Sequence, residues 1–199
     1  MNLSNKKRAP KSEVPGKIQI IAGRWRGRKI SVANSPGLRP TGSRVRETLF
    51  NWLAPYINTA RCLDLFAGSG ILSFEALSRG AKHCTALDNH HEAIKHLTNN
   101  CNLLGSDLNI VHTDAISYLS KKNLNAPYDV AFVDPPFSGT LYNEACALLE
   151  GNQWLTESAM IYCEISYNSM DFSAPANWRL EKDKTTGDVH YMLYSRFET

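Results

Sequence analysis

The segment Cys62-Leu63-Asp64-Leu65-Phe66-Ala67-Gly68-Ser69-Gly70 restricts the fold of this chain more than any other. An apolar run interrupted by one acid reads as a buried strand, and the glycines after it open a tight turn into the next helix. Such a turn aims backbone amides and a helix N-terminus at a nucleotide-like ligand. Sixty-four positions after Gly70 stands Asp134-Pro135-Pro136-Phe137, which closes another apolar run. It sets a hydrogen-bond acceptor and a flat apolar face at the end of a strand.

The rest of the chain supplies the scaffold these two segments require. Apolar runs at 61–66, 82–88, 108–112, 128–133 and 159–165 predict strands, and the stretches 70–79, 90–104, 115–121 and 141–150 predict helices between them. Strands separated by helical stretches imply a parallel sheet covered on both faces. The last part has a different pattern. Trp178 to Asp183, a Thr186-Gly187-Asp188 turn, then Val189 to Phe197 read as an antiparallel hairpin at the sheet's edge. Upstream, Ile18 and Ile20, then Ile30 and Val32, predict a short hairpin whose turn presents Arg24, Trp25, Arg26 and Arg28. Ser43 is expected to cap a helix carrying Val45, Leu49, Trp52 and Leu53 on one face.

Charge divides the chain in the same places. Residues 1–46 hold twelve Lys or Arg against one acid, Glu13, a net of +11; the remainder holds ten basic and eighteen acidic residues, a net of −8. This segregation suits a basic arm for a polyanion joined to a mildly acidic catalytic body. Three parts are therefore expected: a basic disordered tail at 1–16, a hairpin and helix at 17–56 facing a polyanion such as RNA, and the α/β domain at 57–199. No apolar run approaches the roughly 20 residues needed to span a bilayer, so no membrane partner is expected. Five cysteines at 62, 84, 101, 146 and 163, without a CxxC pair, point away from zinc and disulfides and toward a reducing cytoplasm. No HxxH or HExxH pattern suggests any other metal, and His90 and His91, at a helix start, read as exposed.

The acids define the chemistry. Asp64, Asp88 and Asp114 end three successive strands and fall along one carboxyl-end crevice, where open α/β sheets bind ligands. With Gly68 and Gly70, and with Phe66 and Ala115 as neighbouring lining positions, they form a site for S-adenosylmethionine. Asp64 would lie near its ammonium, Asp88 would accept from the ribose hydroxyls, and Asp114 from the adenine amine. Asp88 and Asp114 could each also cap the helix that follows. A dinucleotide-binding turn would favour Gly or Ala where this chain has Ser73. In Asp134-Pro135-Pro136-Phe137 a carboxylate and a backbone carbonyl can accept both hydrogens of an exocyclic amine. That favours a pyramidal nitrogen aimed at an electrophilic methyl. The prolines stiffen the loop and offer no competing amide hydrogen, and Phe137 can stack on an extruded base. Trp25 could stack on RNA or pack on the body. Arg39, Arg44 and Arg46 are candidate phosphate contacts, with a surface ion pair as the alternative for Arg46.

The segments Ile21-Ala22-Gly23-Arg24-Trp25-Arg26-Gly27-Arg28, Gly37-Leu38-Arg39-Pro40-Thr41 and Arg44-Val45-Arg46-Glu47-Thr48-Leu49-Phe50-Asn51-Trp52-Leu53 resemble the bacterial 16S ribosomal RNA guanine-N2 methyltransferases of the RsmD type. So do the run 62–70, its extension Glu75-Ala76-Leu77-Ser78-Arg79-Gly80, and Asp134-Pro135-Pro136-Phe137. The likeness spans about residues 17–197. It implies a Rossmann-like class I methyltransferase fold, with a mostly parallel seven-stranded sheet and an antiparallel C-terminal hairpin. It also implies S-adenosylmethionine as cofactor and methylation of one guanine 2-amino group in 16S rRNA, naked or within the small subunit or an assembly intermediate. No obligate protein partner is implied. The chain departs from the family pattern at Ser43, where aspartate is expected. Other readings of the two motifs are amino methylation of DNA adenine or protein glutamine, and a non-catalytic RNA-binding assembly factor.

Overall fold

The computed structural model describes residues 16–32, 42–136, 141–166 and 172–197. A hairpin of β1 (Gly16–Gln19) and β2 (Lys29–Val32) leads to α1 (Ser43–Trp52). Then come β3 (Arg61–Asp64), α2 (Ile71–Ser78), β4 (His83–Asp88), α3 (His91–Leu104), β5 (Asn109–His112), α4 (Ala115–Leu119), β6 (Tyr128–Val133) and α5 (Leu141–Gly151). The chain finishes with β7 (Leu155–Ser166), β8 (Trp178–Thr186) and β9 (Val189–Arg196). The seven-stranded sheet has the order β5-β4-β3-β6-β7-β9-β8, parallel through β7 and antiparallel at both β9 pairings. The topology reverses between β3 and β6, so the glycine turn after β3 and the Asp-Pro-Pro loop after β6 leave the same edge of the sheet side by side. This is the crevice position for ligands in open α/β sheets.

Side-chain alternation along the strands builds two cores. Cys62, Ala86, Val130, Phe132, Tyr162 and Tyr191 face α1, α2 and α3. Their neighbours Leu63, Leu87, Ala131, Val133, Ile161 and Met192 face α4 and α5. Each fully buried Leu, Ile or Phe contributes roughly 1.5–3 kcal/mol relative to exposure, so a one-residue slip of a central strand would expose a whole face. The hairpin β8–β9 is tied down by Glu150 at the end of α5. Its carboxylate accepts from Arg196 Nε and Nη2 at 2.6–3.0 Å and from Trp178 Nε1 at 3.0 Å. Partial burial works against that charge, but these donors still hold the Glu150 carboxyl at about 2.

All eight residues of α2 are buried, because one side packs on the sheet and the β1–β2 hairpin covers the other. Glu75, 0% exposed, sits in that second contact. Its Oε1 accepts from Ile21 N at 2.6 Å and Arg46 Nη1 at 2.9 Å, and its Oε2 from Arg79 Nε at 3.2 Å. Arg46 also donates to Gln19 O at 3.0 Å, so one guanidinium joins α1, β1 and α2. The hairpin turn meets the last residue of α2, where Arg24 N donates to Ser78 O at 2.8 Å and Trp25 N to Ser78 Oγ at 3.0 Å. At Gly23 (φ +79°) an added Cβ would fall 1.8 Å from Ser78 O, so only glycine permits this approach.

One expectation changes in detail. Ser43 does not cap α1: Gly42 is the N-cap, Ser43 is already helical, and no side-chain cap bond forms. The C-terminal hairpin lies at the sheet's edge as expected, with β8 outermost and β9 folded back between it and β7. The tail through residue 15, Arg39 and Phe137 lie outside the described residues. No described helix is long and apolar enough to cross a membrane.

Candidate active site

The carboxyl ends of β3, β4, β5 and β6 enclose a cleft of about 200 Å³. Asp64, Phe66, Gly68, Asp88, Asp114, Ala115, Asp134, Pro135 and Pro136 all line it. Of the sequence-derived cofactor positions only Gly70 lies behind the wall. There it adopts φ +75° as the N-cap of α2, and a Cβ would press 2.3 Å from Leu97 Cδ2. Gly68 is also left-handed, at φ +52°. Together the two glycines turn the chain from β3 into α2 within six residues.

The acids along the rim are held in different ways. Asp64, 2% exposed, accepts one side-chain hydrogen bond, from Ser73 Oγ at 2.6 Å. Burial pushes its carboxyl up to about 6 against the opposing pull of Ser73. Ser73, unexpected in a dinucleotide turn, is here the hydroxyl that partly satisfies this acid. Asp88 accepts from Gly68 N through Oδ2 and from His90 N through Oδ1, both at 2.8 Å. It therefore joins the glycine turn to the start of α3, while His90 itself occupies the N-cap. Asp114 caps α4, accepting from Ser117 N at 2.8 Å through Oδ1. Asp134 is half-buried beside a buried Pro135 and an exposed Pro136. Tyr142 on α5 points its hydroxyl at Pro135 O, 3.5 Å away.

The cleft suits an adenosyl-sulfonium ligand on its own chemistry. A buried carboxylate with no cation beside it among the described residues fits an ammonium, and acceptors at two further strand ends fit hydroxyls and an amine. The glycine turn leaves room at the backbone between them. Among the described residues no group of three or more His, Cys, Asp or Glu is arranged to hold a metal ion. All five cysteines are buried free thiols, and burial pushes those of Cys62 and Cys84 up, away from the reactive thiolate.

The candidate RNA residues separate into two groups. Arg46, expected at the surface, is 3% exposed and is engaged by Glu75 rather than by the neighbouring Glu47. Trp25 is 7% exposed, meets the edge of Phe74 at 6.4 Å and carries the Arg24 guanidinium 3.9 Å over its ring. Both belong to the interior because the hairpin must be anchored on α2. Arg24, Arg26, Arg28 and Arg44 remain exposed. Arg28 donates to Leu103 O at 2.5 Å and Arg24 lies 3.8 Å from Asp107. Ser78 and Leu103 are the trailing ends of α2 and α3, so the turn arginines sit at the pole opposite the cleft.

Fold and site together define a methyltransferase of the Rossmann-like class I architecture. The family model described as "Conserved hypothetical protein 95" matches residues 18–195. The chain is 47% identical over 188 residues to Ribosomal RNA small subunit methyltransferase D of Escherichia coli K12, covering 94% of each chain. It is also 47% identical over 182 residues to the Haemophilus influenzae protein of that name, covering 90% of this chain and 94% of the relative. The solved structure of Escherichia coli yhhF superposes with a TM-score of 0.86 at 44% identity, covering 92% of this chain and all of the other. The chain belongs to the RsmD-type family.

Sequence reasoning missed Glu75 as the partner of Arg46, and Glu164 on β7. A clue was present for both: a glutamate set among mostly apolar neighbours, as in Phe74-Glu75-Ala76 and Cys163-Glu164-Ile165, needs a partner or a ligand when buried.

Proposed function

We propose that this chain methylates the 2-amino group of a guanine in 16S ribosomal RNA with S-adenosylmethionine. The observation that carries the reading is the juxtaposition of Asp134-Pro135-Pro136 with Asp64, Gly68, Asp88 and Asp114 around one cleft. Relatives named as small-subunit ribosomal RNA methyltransferases support the RNA substrate over DNA adenine, protein glutamine or a non-catalytic role. When bound, S-adenosylmethionine supplies an activated methyl group and departs as a neutral thioether. Asp64 would hold its ammonium, Asp88 its ribose hydroxyls and Asp114 its adenine amine, with Phe66 and Ala115 lining the same cleft.

Asp134 and the carbonyl of the Asp-Pro-Pro turn accept the two hydrogens of the guanine amine. They draw its lone pair out of the ring and hold it toward the side of the cleft where the cofactor's methyl group would be supplied. The nitrogen lone pair forms the new bond, and its surplus proton passes through Asp134 to water. Phe137 stacks on the extruded base. Orientation and fixed acceptors in a water-poor cleft supply the rate enhancement. The exposed Arg44 contacts an RNA phosphate, and Arg39 is a further candidate for such a contact. Arg24, Arg26 and Arg28 take part where the RNA extends the length of the sheet to the far pole.

Mass mapping of small-subunit RNA from cells with and without this protein tests the reading. One N2-methylguanine should vanish with the protein and return with it. A methyl group lost from adenine, or from protein alone, would overturn the assignment.

A further inference from the structure

One buried carboxylate, Glu164, stands one strand over from Asp134, behind the residues that line the cleft, and has no part in the chemistry so far. Val133 and Cys163 are paired in register, so Asp134 and Glu164 follow at the same level on adjacent strands, about 4.8 Å apart across the sheet. Asp134 is the first residue beyond β6, and both carboxylates act on the same two phenols, helping burial to push the Tyr142 and Tyr162 hydroxyls up. The two acids therefore lie together at this end of the sheet. Glu164 is 5% exposed. Its Oε2 accepts from the Tyr162 hydroxyl at 2.7 Å; among the described residues Oε1 has no hydrogen-bond partner. On its other side β9 places Tyr191, itself stacked on Trp52 at 5.5 Å. Burial raises the Glu164 carboxyl, and the Tyr162 hydroxyl counters part of that rise. Such a group is costly to keep in a core, and here it stands at the β7 position beside Asp134.

Guanine explains it. The atom next to the guanine 2-amino group is N1, which carries a hydrogen, so the edge presents donors on neighbouring atoms. Adenine presents an amine beside a bare N1 lone pair. Two carboxylates side by side match the first edge and repel the second. We propose that Glu164 Oε1 accepts the N1 hydrogen of the target guanine while Asp134 holds the 2-amino group, making Glu164 the determinant of guanine over other amino-bearing purines. Tyr162 fixes the carboxylate so that Oε1 faces the base. The inference rests on the guanine-N2 reading above and adds the residue that reads the ring.

The test uses the full chain and small-subunit RNA in which the target guanine is replaced by 2-aminopurine. That base keeps the 2-amino group but has a lone pair in place of the N1 hydrogen. Wild type should methylate the analogue about 10–100-fold more slowly in single turnover, the range for losing a charge-assisted hydrogen bond. Glu164→Gln can donate to the bare N1, so it should lose activity on guanine and keep or gain it on 2-aminopurine, collapsing the ratio. A merely structural Glu164 would lower both rates alike and leave the ratio intact, overturning the proposal. Equal wild-type rates on the two bases would overturn it too, whether or not the variant folds. Glu164→Asp, which keeps the charge but withdraws the acceptor, should give an intermediate ratio. Product analysis separates the two readings. N2-methylguanine formed with an unchanged ratio sinks only the role of Glu164, whereas its absence sinks the guanine-N2 assignment itself.

Discussion

Asp64 and Glu75 are both buried carboxylates within one β–α unit, and their surroundings could hardly differ more. Glu75 receives two guanidinium groups and a backbone amide. Asp64 receives the Ser73 hydroxyl and the backbone amides of Ser73 and Phe66, but no cation among the described residues. The first is compensated by the fold, and it fastens the N-terminal hairpin to the catalytic body. The second is left short of positive charge, and its acidity falls accordingly, with a pKa of about 6. Glu75 is completed by the protein and is structural; Asp64, buried in the cleft without a cation beside it among the described residues, is the acid proposed above to take a ligand's cation.

Substitutions at the two sites should separate these roles. Glu75→Gln leaves Arg46 buried against a neutral amide, and removing one partner of such a pair costs about 3–5 kcal/mol. Denaturant unfolding should show that loss; an unchanged midpoint would mean the hairpin is held by apolar packing alone. Asp134→Ala should lower single-turnover methylation by about 10²–10³ while cofactor affinity by calorimetry stays near wild type, placing it apart from both buried acids. Near-normal turnover would show that another group holds the amine.

Asp64 offers a pH signature that Glu75 lacks. Its folded pKa is raised, so above about pH 6 the ionised acid weighs on the fold, and that cost fades as pH falls toward 3.8. Asp64→Asn should then stabilise the ligand-free protein by about 3 kcal/mol near pH 8, and by little near pH 4. Cofactor binding runs the other way, because an ammonium needs the ionised form. Affinity should drop about tenfold per unit below pH 6 in wild type and lose that slope in Asp64→Asn. A flat wild-type profile would remove Asp64 from the ammonium site.

Asp88 falls between the extremes, since its two backbone donors already satisfy part of its charge. Asp88→Ala should weaken the cofactor by about 1–3 kcal/mol in a protein that still folds. The smallest effect belongs to the far pole. Replacing Arg26 and Arg28 by Ala should flatten the salt dependence of RNA binding by roughly 0.7 for each phosphate no longer neutralised, with the single-turnover rate unaltered. No change in slope would confine RNA to the cleft side of the sheet.

Local pattern revealed the strands and helices of the α/β domain to within a few residues, because apolar periodicity reports burial directly. The longest discrepancy is β7, which begins at Leu155 rather than 159; Thr156, Glu157 and Ser158 break the apolar run where the strand register shifts against β6. The glycine turn and the rim acids were legible for a similar reason: strand ends converge in a parallel sheet, so an acid after each strand has one place to go. The arginines were not. Arg24, Arg26, Arg28 and Arg46 are alike as letters, and nothing in their spacing says that Arg46 turns inward.

What this sequence determined by itself was therefore local: period, turn chemistry, and the kinds of side chain carried to the sheet's carboxyl edge. The tertiary structure decided which charges meet. Arg46 and Glu75 are 29 residues apart, and Asp134 and Glu164 are brought level only by the pairing of β6 with β7. Electrostatic partnership depends on distance and burial in three dimensions, and neither is encoded in the order of residues along one strand or helix.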